Sequence, residues 1–140
     1  MNAAPYLIRP ALPEDAAGIA QLLHDIGWFK AYETHSAAQN TEAVQALLDE
    51  LQAGPERSLM LVAQDAQQHI HGYCAVHWLP VAVLQGWEAY VSELFVAEAA
   101  RGAGLGQQLL DAATHAARER HCIRIWLVNN REPPSYGPGS

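Results

Sequence analysis

The residues 89–120, AYVSELFVAEAARGAGLGQQLLDAATHAARER, change period in the middle. Before the glycines, apolar and other residues alternate. Tyr90, Ser92, Leu94 and Val96 fall on one face, Val91, Glu93 and Phe95 on the other, which predicts a strand over 89–97. After them, Leu105, Leu109, Ala112, Ala113 and Ala116 follow a helical period, which predicts a helix over about 104–120. Residues 122–130, CIRIWLVNN, read as another strand, so the segment is a strand–loop–helix–strand unit. Such a crossover forces parallel strands and a right-handed connection, and thereby an α/β layer. The joint is Arg101-Gly-Ala-Gly-Leu-Gly106. Glycine there has two readings: it makes a sharp turn, or it bares backbone N–H groups at a helix N-terminus, where they bind phosphate.

The rest of the chain supplies the other elements. Residues 6–9 read as a strand stopped by Pro10. Pro13, Glu14 and Asp15 open a helix carrying Ile19, Leu22, Leu23 and Ile26, closed by Gly27. Residues 27–40 read as an aromatic loop. A second helix runs from Thr41, its expected N-cap, to Gly54, with Val44, Leu47, Leu48 and Leu51 inward. Residues 58–64 and 69–79 form a hairpin across DAQQ. The order β-α-α-β-β-β-α-β predicts one α/β (α+β) domain over 1–140, with a mostly antiparallel sheet.

Half the residues are hydrophobic, 16% are charged and the formal net charge is −7. These values exclude a disordered chain and argue against a nucleic-acid or anionic-membrane partner, while allowing a local anion pocket. The N-terminus lacks the basic and apolar regions of a signal peptide, so a cytoplasmic protein is expected. Cys74 and Cys122 have no CxxC spacing and are expected to be reduced. His69 and His71 share a strand face, but with no evident third ligand they are expected at the surface and no metal is expected.

The loop is neither of two common phosphate motifs. Gln107 and Gln108 follow Gly106 where a Walker A loop needs Lys-Ser/Thr, and both GxGxxG registers fail, at Gln107 and at Leu109. Arg101-x-x-Gly104-x-Gly106 instead resembles the coenzyme A diphosphate loop, Q/R-x-x-G-x-G/A, of the GNAT N-acetyltransferase superfamily. LIRPALPEDAAGIAQLL is similar to that superfamily's first strand and helix, YVSELFVAEAARGAGLGQQLLDAA to its fourth strand, loop and third helix, and IRIWLVNN to its fifth strand. The resemblance implies a GNAT-like fold that binds acetyl-CoA. The diphosphate would lie on the N–H groups of Arg101, Gly102, Ala103, Gly104, Leu105 and Gly106. The pantetheine arm would bond to Leu94-Phe95-Val96, with Asn130 at the end of the fifth strand. The implied reaction is direct attack of a primary amine, from a small molecule, a polyamine or a protein, on the thioester.

Two readings of Glu93 stay open: a desolvated general base, or an exposed or salt-bridged carboxylate. Relatives in the superfamily's polyamine-type subgroup carry Glu-Asp where this chain has Ser92-Glu93, so the first acid is missing and its role does not carry over; a water relayed through Ser92 or Glu93 is a further route. The superfamily's fifth strand is followed by a tyrosine that protonates the thiolate; Tyr136 lies close to that position without being its equivalent, and is read as a plain loop residue or as the acid. The pattern also implies two more strands after the fifth, before which this sequence stops. A truncated chain, or a fold completed by a partner, is therefore expected. Trp28, Phe29, Tyr32 and Glu33 fall where the superfamily's acceptor loop lies, and two readings stay open for them: pocket lining, or simple capping of the core. The apolar tip HWLPVAVLQGW (77–87) lines the acceptor site or meets a second subunit. The apolar edge at 122–130 leads us to expect a homodimer. The alternative is a non-catalytic acyl-CoA-binding or protein-interaction module.

Overall fold

The structure, a computed structural model, describes residues 5–128, so Asn130 and Tyr136 lie outside the described residues. Five strands form one sheet in the order β1-β2-β3-β4-β5: β1 (Leu7–Pro10), β2 (Ser58–Gln64), β3 (Ile70–Val81), β4 (Gly86–Val96) and β5 (Arg124–Leu127). Every neighbouring pair is antiparallel except β4 and β5, which are parallel and joined by helix α4 (Leu105–Glu119). Pro10 does not stop β1 but ends it, paired with Leu61. An edge strand tolerates a residue with no N–H to give.

The other helices are α1 (Ala16–Ile26), α2 (Lys30–Thr34) and α3 (Ala37–Ala53). Two of them correct the sequence reading of 27–40 as a loop. Helix α2 is a single short turn with no apolar period to betray it. Helix α3 begins at Ala37, not near Thr41. Its N-cap is Ser36, whose Oγ accepts from Gln39 N–H at 3.1 Å while the Gln39 side chain accepts from Ser36 N–H at 2.8 Å. That reciprocal box satisfies two otherwise orphaned donors, so the helix starts there. Helix α1 is fixed to the sheet by Asp15, which takes two 2.8 Å bonds from the Arg9 guanidinium and one at 2.7 Å from Leu12 N–H.

The sheet divides the core in two. Helices α1 and α3 bury Ile19, Leu22, Val44 and Leu48 against Val62, Tyr73, Ala75 and Phe95. Helix α4 buries Leu105, Leu109, Ala113 and Ala117 against Cys74, Val76, Ala89 and Val91 on the other face. Strand β4 thus sends Val91 to one face and Phe95 to the other, although the two are an even number of residues apart. The reason is a β-bulge: Val91 opposes Val76 and Glu93 opposes Ala75, leaving Ser92 unpaired. The simple alternation expected from the sequence, with Val91, Glu93 and Phe95 on one face, is corrected by this one residue.

Candidate acyl-transfer site

The bulge also changes which backbone groups point away from β3. Before it, Trp87 and Val91 turn their carbonyls toward β5 and accept from Ile123 and Val128 N–H at 2.8 and 3.0 Å. After it, Ala97 N–H donates to His71 O at 2.8 Å, toward β3. Backbone groups alternate along a strand, so Phe95 also faces β3, while Leu94 and Val96 turn theirs to the opposite edge. Among the described residues, β4–β5 pairing ends at Val91 and Leu127, and no strand pairs with that edge of 92–96. Leu94 and Val96 are the open peptide groups. Phe95 contributes its ring to the α1/α3 face instead.

Just beyond this edge, the chain turns through Glu98–Ala100 into the glycine loop. Gly102 and Gly104 have φ of +86° and +79°, the left-handed region that glycine adopts freely, and Gly104 is the N-cap of α4. A Cβ at either position would meet nothing within 4 Å, so these glycines are required by conformation and leave the approach to the loop clear. The first helical bond is Gln108 N–H to Gly104 O at 3.0 Å, which leaves Leu105 and Gly106 N–H without an intrahelical acceptor. Not every amide of the loop is open. Arg101 and Ala103 N–H close turns onto Glu98 O and Ala100 O. The available donors are therefore Gly102, Gly104, Leu105 and Gly106. They border a shallow cleft of about 330 Å³, with Val96 on its far wall. The Arg101 side chain folds back, Nε donating to Val96 O at 3.2 Å.

Glu93 points to the α1/α3 face, into a cavity of about 150 Å³. Ile19 and Leu23 of α1 and Val44 of α3 form its aliphatic wall, and Leu47 stands at the rim, 58% exposed. Phe29 and Phe95 make its aromatic wall, their centroids 5.0 Å apart and near perpendicular. Glu93 Oε1 accepts a short hydrogen bond from Tyr73 OH. Burial, then the charge of Glu93, raises the Tyr73 pKa well above its ordinary value, so Tyr73 stays a proton donor. The Tyr32 hydroxyl on the same cavity is raised for the same two reasons. Of the four acceptor-loop residues singled out in the sequence, Phe29 and Tyr32 line the cavity. Trp28 packs edge-on to Phe95 from outside it, and Glu33 is exposed on α2. The apolar tip 77–87 does not reach the cavity.

The bulge residue has its own support. Ser92 Oγ lies 2.7 Å from His77 Nε2, and His77 Nδ1 lies 2.8 Å from Ser58 Oγ. Sequence reasoning missed His77, Ser58 and Tyr73. The available signal was the pair Ser92-Glu93, two polar residues together where a regular strand would alternate. His69 and His71 belong elsewhere: His71 Nε2 sits 2.7 Å from Asp65 Oδ2, and Asp65 also accepts from Gln67 and His69 N–H to close the β2–β3 turn. Among the described residues, no group of three His, Cys, Asp or Glu is placed to hold a metal. Cys74 is buried, and burial followed by the charge of Glu93 pushes its thiol up to about 12, which leaves no thiolate to act as nucleophile. Among the described residues, no helix is long and apolar enough to cross a membrane.

Solved structures share this architecture. A transcriptional regulator from Bacillus halodurans C-125 superposes with a TM-score of 0.76 at 23% identity, over 93% of this chain and 85% of that one. Glucosamine-6-phosphate N-acetyltransferase from Arabidopsis thaliana gives 0.75 at 15% identity, over 94% and 86%. Ribosomal-protein-alanine N-acetyltransferase from Brucella melitensis biovar Abortus 2308 gives 0.71 at 22%, over 93% and 84%. At these identities the likeness is one of fold. No curated protein matches the chain by sequence. The model of the acetyltransferase (GNAT) family matches residues 21–135, and with the glycine loop, the open edge of β4 and the parallel β4–β5 pair in place, the chain belongs to that family.

Proposed function

We propose that this chain transfers an acetyl group from acetyl-CoA to a primary amine by direct attack, with Glu93 as the base. The observation that carries the reading is the bulge at Ser92, which sets a carboxylate-bearing cavity beside an open backbone edge that leads into the glycine loop. The residues present suit acetyl-CoA. Gly102, Gly104, Leu105 and Gly106 would hold the diphosphate through N–H groups at the positive end of a 15-residue helix. Leu94 and Val96 would hold the pantetheine amides, and an N–H on this edge is suited to polarise the thioester carbonyl. Acetyl-CoA supplies the activated acyl group.

Glu93 does the work on the amine. An ammonium with an ordinary pKa of about 10.4 must lose a proton before it can attack. Glu93 takes that proton, the C–N bond forms and the C–S bond breaks. The second nitrogen proton ends on the departing sulfur, and Glu93 returns its own to solvent. Protonated Cys74 argues for this single transfer rather than an acyl-cysteine route. Ser92 next to Glu93 keeps the water-relayed route open as a variant of the same step. Asn130 and Tyr136 lie outside the described residues, and no step is assigned to them.

The test is thiol release from acetyl-CoA with a panel of primary amines. Turnover is expected, and Glu93→Gln is expected to lower kcat by roughly 10²–10⁴-fold while acetyl-CoA affinity holds. No thiol release with any amine would overturn the reading, and an unchanged pH–rate profile in Glu93→Gln would move the base elsewhere.

A further inference from the structure

The cavity at Glu93 has a chemistry specific enough to name an acceptor, and the following rests on the acetyl-transfer reading above. It holds one formal charge, Glu93, set among aliphatic and aromatic side chains. A ligand with a single ammonium pairs that charge. A second cation further along the same body would have to enter apolar surroundings with no counter-charge, which is costly. Size narrows the choice further. The volume, about 150 Å³, is that of a cavity known to take one benzene molecule, and a wall of perpendicular rings suits another ring packed edge to face. The hydroxyls of Tyr32 and Tyr73 are the polar groups besides Glu93, and both are held protonated. Their oxygens can accept from one ammonium, but as neutral groups they supply no counter-charge for a second.

We propose that the acceptor is a small monoamine with an aromatic body, one ring joined by a short alkyl link to a primary ammonium, with the ring in this cavity and the nitrogen at Glu93. This replaces the broad range of small-molecule, polyamine and protein amines with a single class.

The experiment compares phenethylamine, spermidine and a lysine-containing peptide as acceptors, and reads binding separately by ligand-observed NMR with acetyl-CoA absent. Phenethylamine is expected to exceed the other two in kcat/KM by at least tenfold. Leu47→Trp, a change at an exposed rim position, is expected to lower kcat/KM for phenethylamine at least tenfold, mainly through KM, while acetyl-CoA affinity and the circular dichroism spectrum are unchanged. Spermidine or the peptide equalling phenethylamine would overturn the assignment, and so would a silent Leu47→Trp. The binding arm separates the two claims. Phenethylamine that binds wild type but not Leu47→Trp, with no thiol released, sinks acetyl transfer and keeps the monoamine site. Thiol release with other amines and no phenethylamine binding does the reverse.

Discussion

On the α4 face of the sheet, Val76, Val91, Leu109 and Ala113 are fully buried, and aliphatic side chains meet across small residues, with Trp78 the one aromatic among the buried residues there. On the opposite face the same strands meet α1 and α3 through larger aromatic side chains, and these enclose a cavity with a carboxylate in it. The difference follows from what each face has to do. The α4 face fixes the helix whose first turn carries the glycine loop, so any looseness there would move the loop relative to β4. The α1/α3 face has to leave room for something to enter. Dense packing thus lies behind the loop, and open packing lies behind Glu93.

The largest effect is expected from the loop that the dense face supports. Gly104→Val places a β-branched residue at φ +79°, which strains the turn and puts methyl groups where a diphosphate would approach. Calorimetry should show CoA affinity falling at least about 100-fold, near 3 kcal/mol, with the circular dichroism spectrum kept. Unchanged affinity in the folded variant would detach the loop from CoA.

Packing tests the comparison directly. Leu109→Ala on the dense face should cost about 3–5 kcal/mol in urea unfolding. Leu23→Ala, which enlarges an existing cavity, should cost about 2–3 kcal/mol, the low end of the same range. Equal losses would mean that the two faces are packed alike.

The anchor of α1 is pH-dependent. The Arg9 hydrogen bond holds the Asp15 carboxyl below its ordinary range. A carboxyl depressed in the folded state stabilises fully above its unfolded pKa of about 3.9, and that stabilisation is lost as pH falls through the lower folded value. Asp15→Asn should therefore be less stable than wild type by about 2 kcal/mol near pH 7, with the gap closing below about pH 4. A gap that stays constant to acid pH would mean that the charge is not what holds the helix.

The smallest change is at the sheet edge. Ile123, just before β5, and Trp126 and Leu127 on it are each about half exposed, and Trp126 Nε1 donates to Glu88. If a second copy covers this edge, as its apolar side chains lead us to expect, light scattering will show a homodimer, and Trp126→Lys will shift it to monomer. A stable monomer in the unmodified protein removes the dimer.

Much of this was legible in the residues. The period change on either side of Arg101–Gly106 gave α4 and its loop, because local pattern and loop chemistry agree there. The cavity was not legible, since Ile19, Val44, Tyr73 and Glu93 meet only after α1, α3 and the sheet have packed. The Ser36 and Gln39 box is written in the sequence, but the aromatic run before it has the composition of a loop and masks the helix start. The amides of Arg101 and Ala103 could not be told from their neighbours until the turns that consume them were seen.

Ser92 has a consequence for how this protein can change over time. Strand side chains repeat every two residues, so a single extra residue is a half-period phase shift. Removing it would restore simple alternation, with Val91 still toward α4 and Glu93 still toward α1 and α3, and would take away the irregularity beside which β4–β5 pairing ends. Substitutions at this position alter one hydroxyl and its histidine contact, whereas a deletion would leave β4 regular, so that nothing in the strand itself would stop β5 from pairing on past Val91 along the edge now open. The length of β4, more than the identity of any residue in it, is therefore the quantity that insertions and deletions cannot be allowed to alter.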